Sequence, residues 1–334
     1  MHALSLWLST RWRGFLTAFT IAVAAMFVSR NYGGPSVLYA LLLGMAFHFL
    51  SEDKTVQPGI ELCSKLLLRL GVGLLGVRIT AEELAHLDAP TLALIIGSVF
   101  ATVAFSMLLN RWVKWPRAEG ALAGASVAIC GASAAAALAL VIDKKDLREQ
   151  ALLAIIVIVT ALSTVAMILY PIVLELTHLS GVTAGLVLGG TIHDVAQVVG
   201  AGAMLGQDAL ETATMTKMLR VAMLVPMIVV FTALFSQKST NAKRVNPLRQ
   251  IPFFLVGFVT LAVINVLGFI PKEAADLTAQ FSQLCILVAI AALGIKTSLG
   301  KLRTVGWAPI VLMTADTVFL FVWVLGGILL IHAA

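Results

Sequence analysis

Apolar stretches recur from one end of the chain to the other, each close to the roughly 20 residues a helix needs to cross a hydrocarbon core of about 30 Å. In such a solvent the backbone has to satisfy its own hydrogen bonds, so repeated long apolar runs mean helices. Composition excludes the soluble alternative. Only 12% of residues are charged and 60% are hydrophobic, with a mean hydropathy of +1.00, whereas a soluble domain is about a quarter charged. The chain reads as an all-α polytopic membrane protein, a single transmembrane unit over residues 1–334.

Loops divide it into eleven candidate spans, near 14–29, 36–50, 58–79, 90–109, 119–142, 150–175, 181–205, 211–236, 250–270, 277–298 and 304–331. The first follows Arg11 and Arg13 as a signal peptide would, but no soluble sequence comes after it, so it is kept as a span. The basic residues give an orientation, because Lys and Arg near span ends prefer the cytoplasm. With the N-terminus cytoplasmic, thirteen fall inside: Arg11, Arg13, Lys54, Arg111, Lys114, Arg117, Lys238, Lys243, Arg244, Arg249, Lys296, Lys301 and Arg303. Six fall outside: Arg30, Arg78, Lys144, Lys145, Arg148 and Lys272. The 143–148 loop is the discordant one, and a re-entrant fifth segment would change the count. Lys65, Arg69, Lys217 and Arg220 lie within spans, where long basic side chains can snorkel toward an interface; Arg69 is placed deeper.

The net charge of +6 follows these boundaries rather than forming a stripe, so no nucleic-acid partner is expected. Cys63, Cys130 and Cys285 lie in apolar segments without ligand spacing, which indicates neither disulfides nor a metal, and no cofactor motif occurs.

Internal repetition suggests an architecture. VLYALLLGMAFH at 37–48 matches VTAGLVLGGTIH at 182–193 in five of twelve positions, pairing Gly44 with Gly189 and His48 with His193. Lys65 and Arg69 in the third span answer Lys217 and Arg220 in the eighth. Val127, Ala128 and Ile129 in the fifth answer Val288, Ala289 and Ile290 in the tenth. The reading is an extra N-terminal helix over 1–32 followed by inverted five-span repeats over 33–178 and 179–334, a transporter architecture. Chance matches among Leu, Ala, Val and Gly are the competing explanation, and a rival phasing pairs residues 75–80 with 293–298.

Candidate site residues follow from placement. The small-residue run at 124–137 either permits close helix packing or marks a broken helix whose free N–H groups face an anion. The second reading makes Ser126, Cys130, Gly131, Ala132 and Ser133 ligand-facing. Its repeat partner, expected to be interrupted near Gly294, offers Gly294, Lys296, Thr297 and Ser298. In the seventh span Thr191, His193, Asp194 and Gln197 form the most distinctive string, with His193 and Gln197 on one helical face. A central Asp costs about 2.5 to 3.5 kcal/mol to insert, so Asp194 is either functional or a helix cap near headgroup water. Arg69 is added as a deep cation. Asp316, at the middle of the eleventh span, is with Asp194 and His193 a candidate for coupling to H+ or Na+. The deep ionisable groups are mostly basic, so the interior favours a small anion.

AICGASAAAA at 128–137, GGTIHDVAQVVGAG at 189–202 and LLRLGVGLLGVR at 67–78 resemble the YeiH-type family of bacterial inner-membrane proteins, over nearly the whole chain. Its members are described as sulfate exporters and grouped with the cation/proton antiporter and bile-acid symporter superfamily. The resemblance implies a panel domain, a mobile core with two crossed broken helices, a dimer, and elevator-type alternating access in the bacterial cytoplasmic membrane. The expected function is a secondary transporter exporting sulfate, sulfite or an organosulfonate. A sodium/proton antiporter of the same fold is the alternative; a channel remains open, and no constellation of an enzyme is present.

Overall fold

A computed structural model describes residues 2–82, 87–143, 145–235, 251–297 and 306–333, with side chains between residues 10 and 331 of those ranges. The described residues form helices and no strands. In order they are α1 (His2–Tyr32), α2 (Ser36–Ala46), α3 (Gln57–Leu62), α4 (Leu68–Leu75), α5 (Ala89–Val113), α6 (Arg117–Ala128), α7 (Ala132–Ala139) and α8 (Glu149–Leu176). Then follow α9 (Gly181–Thr191), α10 (Val195–Leu205), α11 (Gln207–Ala222), α12 (Leu224–Phe235), α13 (Phe253–Val266), α14 (Lys272–Lys296) and α15 (Trp307–Ala333). A π-helical turn, Cys63–Leu67, joins α3 to α4. Six described helices are long and apolar enough to cross a membrane: those starting at Thr10, Ala89, Glu149, Gln207, Lys272 and Trp307.

Helix direction can be followed from close contacts. Asn110 packs on Gly120 and Ser106 on Gly124, so α5 and α6 are antiparallel. At the start of α6, the buried Glu119 carboxylate accepts hydrogen bonds from the backbone N–H of Arg148 (3.0 Å), its Nε (2.8 Å) and its Nη2 (2.6 Å). Arg148 immediately precedes α8, so α6 and α8 begin side by side. The chain between them, α6 and α7, therefore goes in and comes back by the same face.

A second hairpin enters from the other face. A Cβ on Gly181 would lie 3.4 Å from Cβ of Asp208, one on Gly185 2.8 Å from Thr212, and one on Gly189 2.7 Å from Thr216, so α9 and α11 run parallel and in step. Asp208 is three residues past Leu205, where α10 ends. That end thus lies beside the start of α9. Between the two hairpins α8 passes through without interruption; its 28 residues span about 42 Å at 1.5 Å per residue.

This corrects the expected eleven crossings, because the fifth and seventh segments do not pass through. It also resolves the discordant 143–148 loop, which lies on the face where α1 begins. Among the described residues outside the spans, nine basic ones sit on that face (Arg11, Arg13, Lys54, Arg111, Lys114, Arg117, Lys145, Arg148 and Lys296) against three on the far face (Arg30, Arg78 and Lys272). Phe105 stacks on Phe319 at 4.2 Å and Leu94 meets Gly327, so α15 is antiparallel to α5 and ends on the far face.

A second correction concerns the tenth segment. It was expected to break near Gly294, but α14 is continuous to Lys296. Gly294 serves close packing instead: a Cβ there would meet the Leu41 carbonyl oxygen at 2.4 Å, and Gly44 faces it across the contact. The second interruption lies in the seventh segment, at residues 192–194.

Packing gathers α1, α2, α3, α4, α13 and α14 into one group and α5 through α12 with α15 into another. On the far face the groups are tied by Arg78 Nε to Glu211 Oε1 (2.5 Å) and by Gln283 Nε2 donating to Gln207 Oε1 (3.1 Å).

The topology is tested by labelling cysteines introduced at Asp146 and Thr177 with a membrane-impermeant maleimide in sealed vesicles. Asp146→Cys should react from the same side as a cysteine at Lys54, and Thr177→Cys from the opposite side. The reverse pattern at both sites would restore the eleven crossings.

Candidate functional site

The tips of the two hairpins, residues 129–131 and 192–194, meet inside the bundle. A helix ends with about four carbonyls lacking an intrahelical donor and with negative partial charge. Each buried end therefore needs donors, and leaving a carbonyl without one costs about 1–3 kcal/mol. Two fully buried cations of α11 supply them. Arg220 donates through Nε to the Ala128 carbonyl (2.8 Å), through Nη2 to Val127 (3.0 Å), and through Nη1 to both Gly189 and Ile192 (3.0 Å each). Lys217 donates to Ile129 (2.6 Å) and Ile192 (2.8 Å). Among the described residues neither makes an ion pair with a carboxylate. One side chain after the other thus clips the end of α6 to the end of α9.

His193 ties the second tip to two further elements. Its Nδ1 lies 3.1 Å from the Val127 carbonyl and its Nε2 3.0 Å from the Thr317 hydroxyl of α15. A carbonyl only accepts, so Nδ1 carries the hydrogen of that bond. The Asp194 backbone N–H donates to the Ser163 hydroxyl of α8 (3.0 Å).

The opposite ends of the breaks differ. Asp194 caps α10, its carboxylate accepting from the Ala196 N–H (3.4 Å). The cap alternative raised from the sequence is therefore correct in geometry, at the hairpin tip rather than at a headgroup boundary. The first turn of α7 has no side-chain cap. Gly131 turns the chain into it with φ +63°, a left-handed conformation that glycine adopts at no steric cost. Ala132 is half-buried and Ser133 exposed, so this helix start opens onto accessible space.

The structure brings Cys130, Gly131, Ala132, Ser133, His193 and Asp194 to the tips. Ser126 and Thr191 are buried beside them, but each hydroxyl donates to its own helix, to Leu122 and Val187 (2.6 Å each). Gln197 is buried one turn beyond Asp194, with its Oε1 unpartnered. Lys296 stands at the end of α14 within electrostatic reach of Asp194. It lines a cavity of about 170 Å³ with Ser51, Gln57, Ile60 and Glu61, and its Nζ is 3.4 Å from the Ser64 hydroxyl. Thr297 donates back to Leu293 (2.9 Å), Gly294 is a packing contact, and Ser298 lies outside the described residues. Arg69 is not at the tips; it is exposed beside Leu66 and Leu70. Lys65 pairs with Glu61, and both are exposed.

The cations that organise the tips were visible in the sequence as in-span residues but were weighed as snorkelling side chains. Their spacing carries the missed signal: three apart on a helix, Lys217 and Arg220 share a face, and that face is the one packed on Gly189 through Thr216.

Replacing Arg220 by Met should destabilise the protein more than replacing Lys217 by Met. Without Arg220 the Ala128 and Gly189 carbonyls lose their donor, whereas without Lys217 only Ile129 does, at about 1–3 kcal/mol per carbonyl. Melting temperatures of both variants in detergent or nanodiscs measure this; equal losses, or none, would contradict the clip.

A family model described as Conserved hypothetical protein 698 matches residues 13–313. The chain is 45% identical over 319 residues to the UPF0324 membrane protein TauZ of Paracoccus pantotrophus, covering 94% of each chain. It is also 45% identical over 319 residues to a UPF0324 membrane protein of Chlorobaculum tepidum, covering 94% of this chain and 88% of that one. To the UPF0324 inner membrane protein YeiH of Salmonella typhi it is 31% identical over 306 residues, covering 88% and 84%. The chain is a multi-pass membrane protein that belongs to the UPF0324 family, the YeiH-type family its sequence resembles.

Proposed function

We propose that the protein is a secondary transporter that exports a small oxyanion, namely sulfate, sulfite or an organosulfonate, across the bacterial cytoplasmic membrane. The observation that carries this reading is the asymmetry at the hairpin tips. Both negative helix ends are neutralised by Lys217 and Arg220, and the positive end of α10 is occupied by Asp194. The positive end of α7 is left open, lined by Ala132 and Ser133. Backbone N–H groups at a helix start suit a tetrahedral oxyanion, and Lys217 and Arg220, which have no carboxylate partner among the described residues, raise the local potential.

In this reading the group containing both hairpins is the mobile core, and the group containing α14 is the panel, dimerised with a second copy. The core slides by an elevator motion, with the Arg78–Glu211 tie holding the far face closed in the present state. The N-terminus is cytoplasmic, as the excess of basic residues on its face favours. The sequence match that suggested repeats over 33–178 and 179–334 joins α2 and α9, each eleven residues long and offset by 145. Both helices start on the far face, so in this topology the match does not make an inverted pair. Both precede a histidine whose Nδ1 meets a backbone carbonyl, Ile295 for His48 and Val127 for His193. H+ or Na+ is the proposed coupling ion, with His193, Asp194 and Asp316 as its candidates.

A sodium/proton antiporter, the alternative, would want its carboxylates paired. Asp194 is engaged as a cap on α10, while Asp316 lies on α15 with its oxygens unpartnered.

Proteoliposome flux of labelled sulfate, sulfite and a short alkylsulfonate tests the assignment, with Ser133→Asp as the discriminating variant. A carboxylate at the open start of α7 should abolish flux of the transported anion while leaving folded protein. Wild-type flux in Ser133→Asp would remove the anion from this helix end.

A further inference from the structure

We infer that Asp316 is a proton-binding site reached from the N-terminal face along a polar track on α5, a site separate from the open start of α7. The inference rests on the transporter reading only for its use; the track itself stands on geometry.

Along the most apolar part of the bundle, α5 places Ser98, Thr102, Ser106 and Asn110 four residues apart on a single face, all buried. Four-residue spacing on a helix puts each one turn above the last. The donors of this stripe are engaged. Ser98 donates to Ile95 (2.7 Å), Thr102 to Ser98 (2.7 Å), Ser106 to Gly120 of α6 (2.9 Å), and Asn110 to Trp115 (2.9 Å). The acceptors are not. Among the described residues, both carboxylate oxygens of Asp316 and the Oδ1 of Asn110 are buried without a hydrogen-bond partner. Ser106 and Asn110 flank one level of the bundle, since Gly120 of α6 accepts from Ser106 and packs against the Asn110 side chain, and Ser106 stands within reach of Asp316.

Three unsatisfied acceptors beside satisfied donors ask for hydrogen, not for another base. A proton on Asp316 makes it a donor, and water supplies donors in a polar site that offers it two or more partners. Asn110 lies one turn from the end of α5, so about two turns of helix, roughly 11 Å, separate that face from the level of Asp316.

The residue after Asp316 contacts the hairpin tip. The Thr317 hydroxyl has one proton and two acceptors, the Met313 carbonyl (2.7 Å) and Nε2 of His193 (3.0 Å). While it donates to Nε2, the imidazole is neutral. When a proton occupies Nε2, that N–H donates to the Thr317 oxygen and the hydroxyl turns to Met313. Rotation of one hydroxyl thus registers whether the tip holds a proton. On the elements packed around α15, Glu119 on α6 is engaged by Arg148 and Tyr170 on α8 packs its ring on Phe321, while Arg111 on α5, Arg117 on α6 and Glu149 and Glu175 on α8 are exposed near the helix ends.

Infrared difference spectroscopy on purified full-length protein in nanodiscs tests this without any substrate. The wild type should show a protonated-carboxyl C=O stretch that shifts in D2O and is lost in Asp316→Asn. Asn110→Leu should keep the band and slow its D2O shift. Should Asp316→Asn fail to fold, growth on carboxyl-13C aspartate assigns the band in the wild type through its isotope shift. Absence of a protonated-aspartate band overturns the proton site, and equally fast deuteration in Asn110→Leu overturns the track. Neither result bears on whether Ser133→Asp stops anion flux, so the two readings fail separately.

Discussion

The rest of the structure depends on how two helix ends are satisfied in the middle of a membrane protein. The ends of α6 and α9 present carbonyls where water is scarce, and a polar group left unpaired there costs several kcal/mol. One turn of α11 meets the whole demand, with Arg220 and Lys217 distributing donors over Val127, Ala128, Ile129, Gly189 and Ile192. The same contacts explain how two cations remain buried without carboxylate partners among the described residues. Five oriented carbonyls and two helix dipoles stand in for the counter-charge.

From that clip the other features follow in order. Since both hairpins end at it, each can stop halfway and return. Since the negative ends are neutralised, the starts of α7 and α10 are free to face the same region with their positive ends. Since Asp194 fills one of them, a single open helix start remains, and the proposed anion site is confined to it. His193 then connects this region to α15 through Thr317, the residue that follows the proposed proton site at Asp316.

Much of this was legible in the sequence, for physical reasons that also mark where reading stops. Hydropathy located the segments closely; the expected spans at 90–109 and 211–236 correspond to Ala89–Val113 and to α11 with α12, which together run Gln207–Phe235. It could not tell a hairpin from a crossing, because hydropathy measures apolar length and carries no direction. The 143–148 loop held the correction in its charge, since its three basic residues were already discordant. Small residues at 124–137 marked a real break, whereas the equally small surroundings of Gly294 marked a helix contact. The difference lies in the partner backbone, Leu41 at 2.4 Å from a Cβ, which no local pattern reveals. The sequence singles out Arg69 as the deep in-span arginine, yet it is exposed and Arg220 is fully buried, because only tertiary packing decides which helix face meets carbonyls.

The account's central claim is that one cation cluster holds two tips more than 60 residues apart in sequence. Hydrogen–deuterium exchange of the full-length protein measures it directly, by following amides in the peptides that contain residues 129–135 and 192–198 in the wild type and in Arg220→Met. The account predicts slow exchange at both tips in the wild type and acceleration of both together in the variant. Acceleration at one tip alone, or at neither, would contradict it.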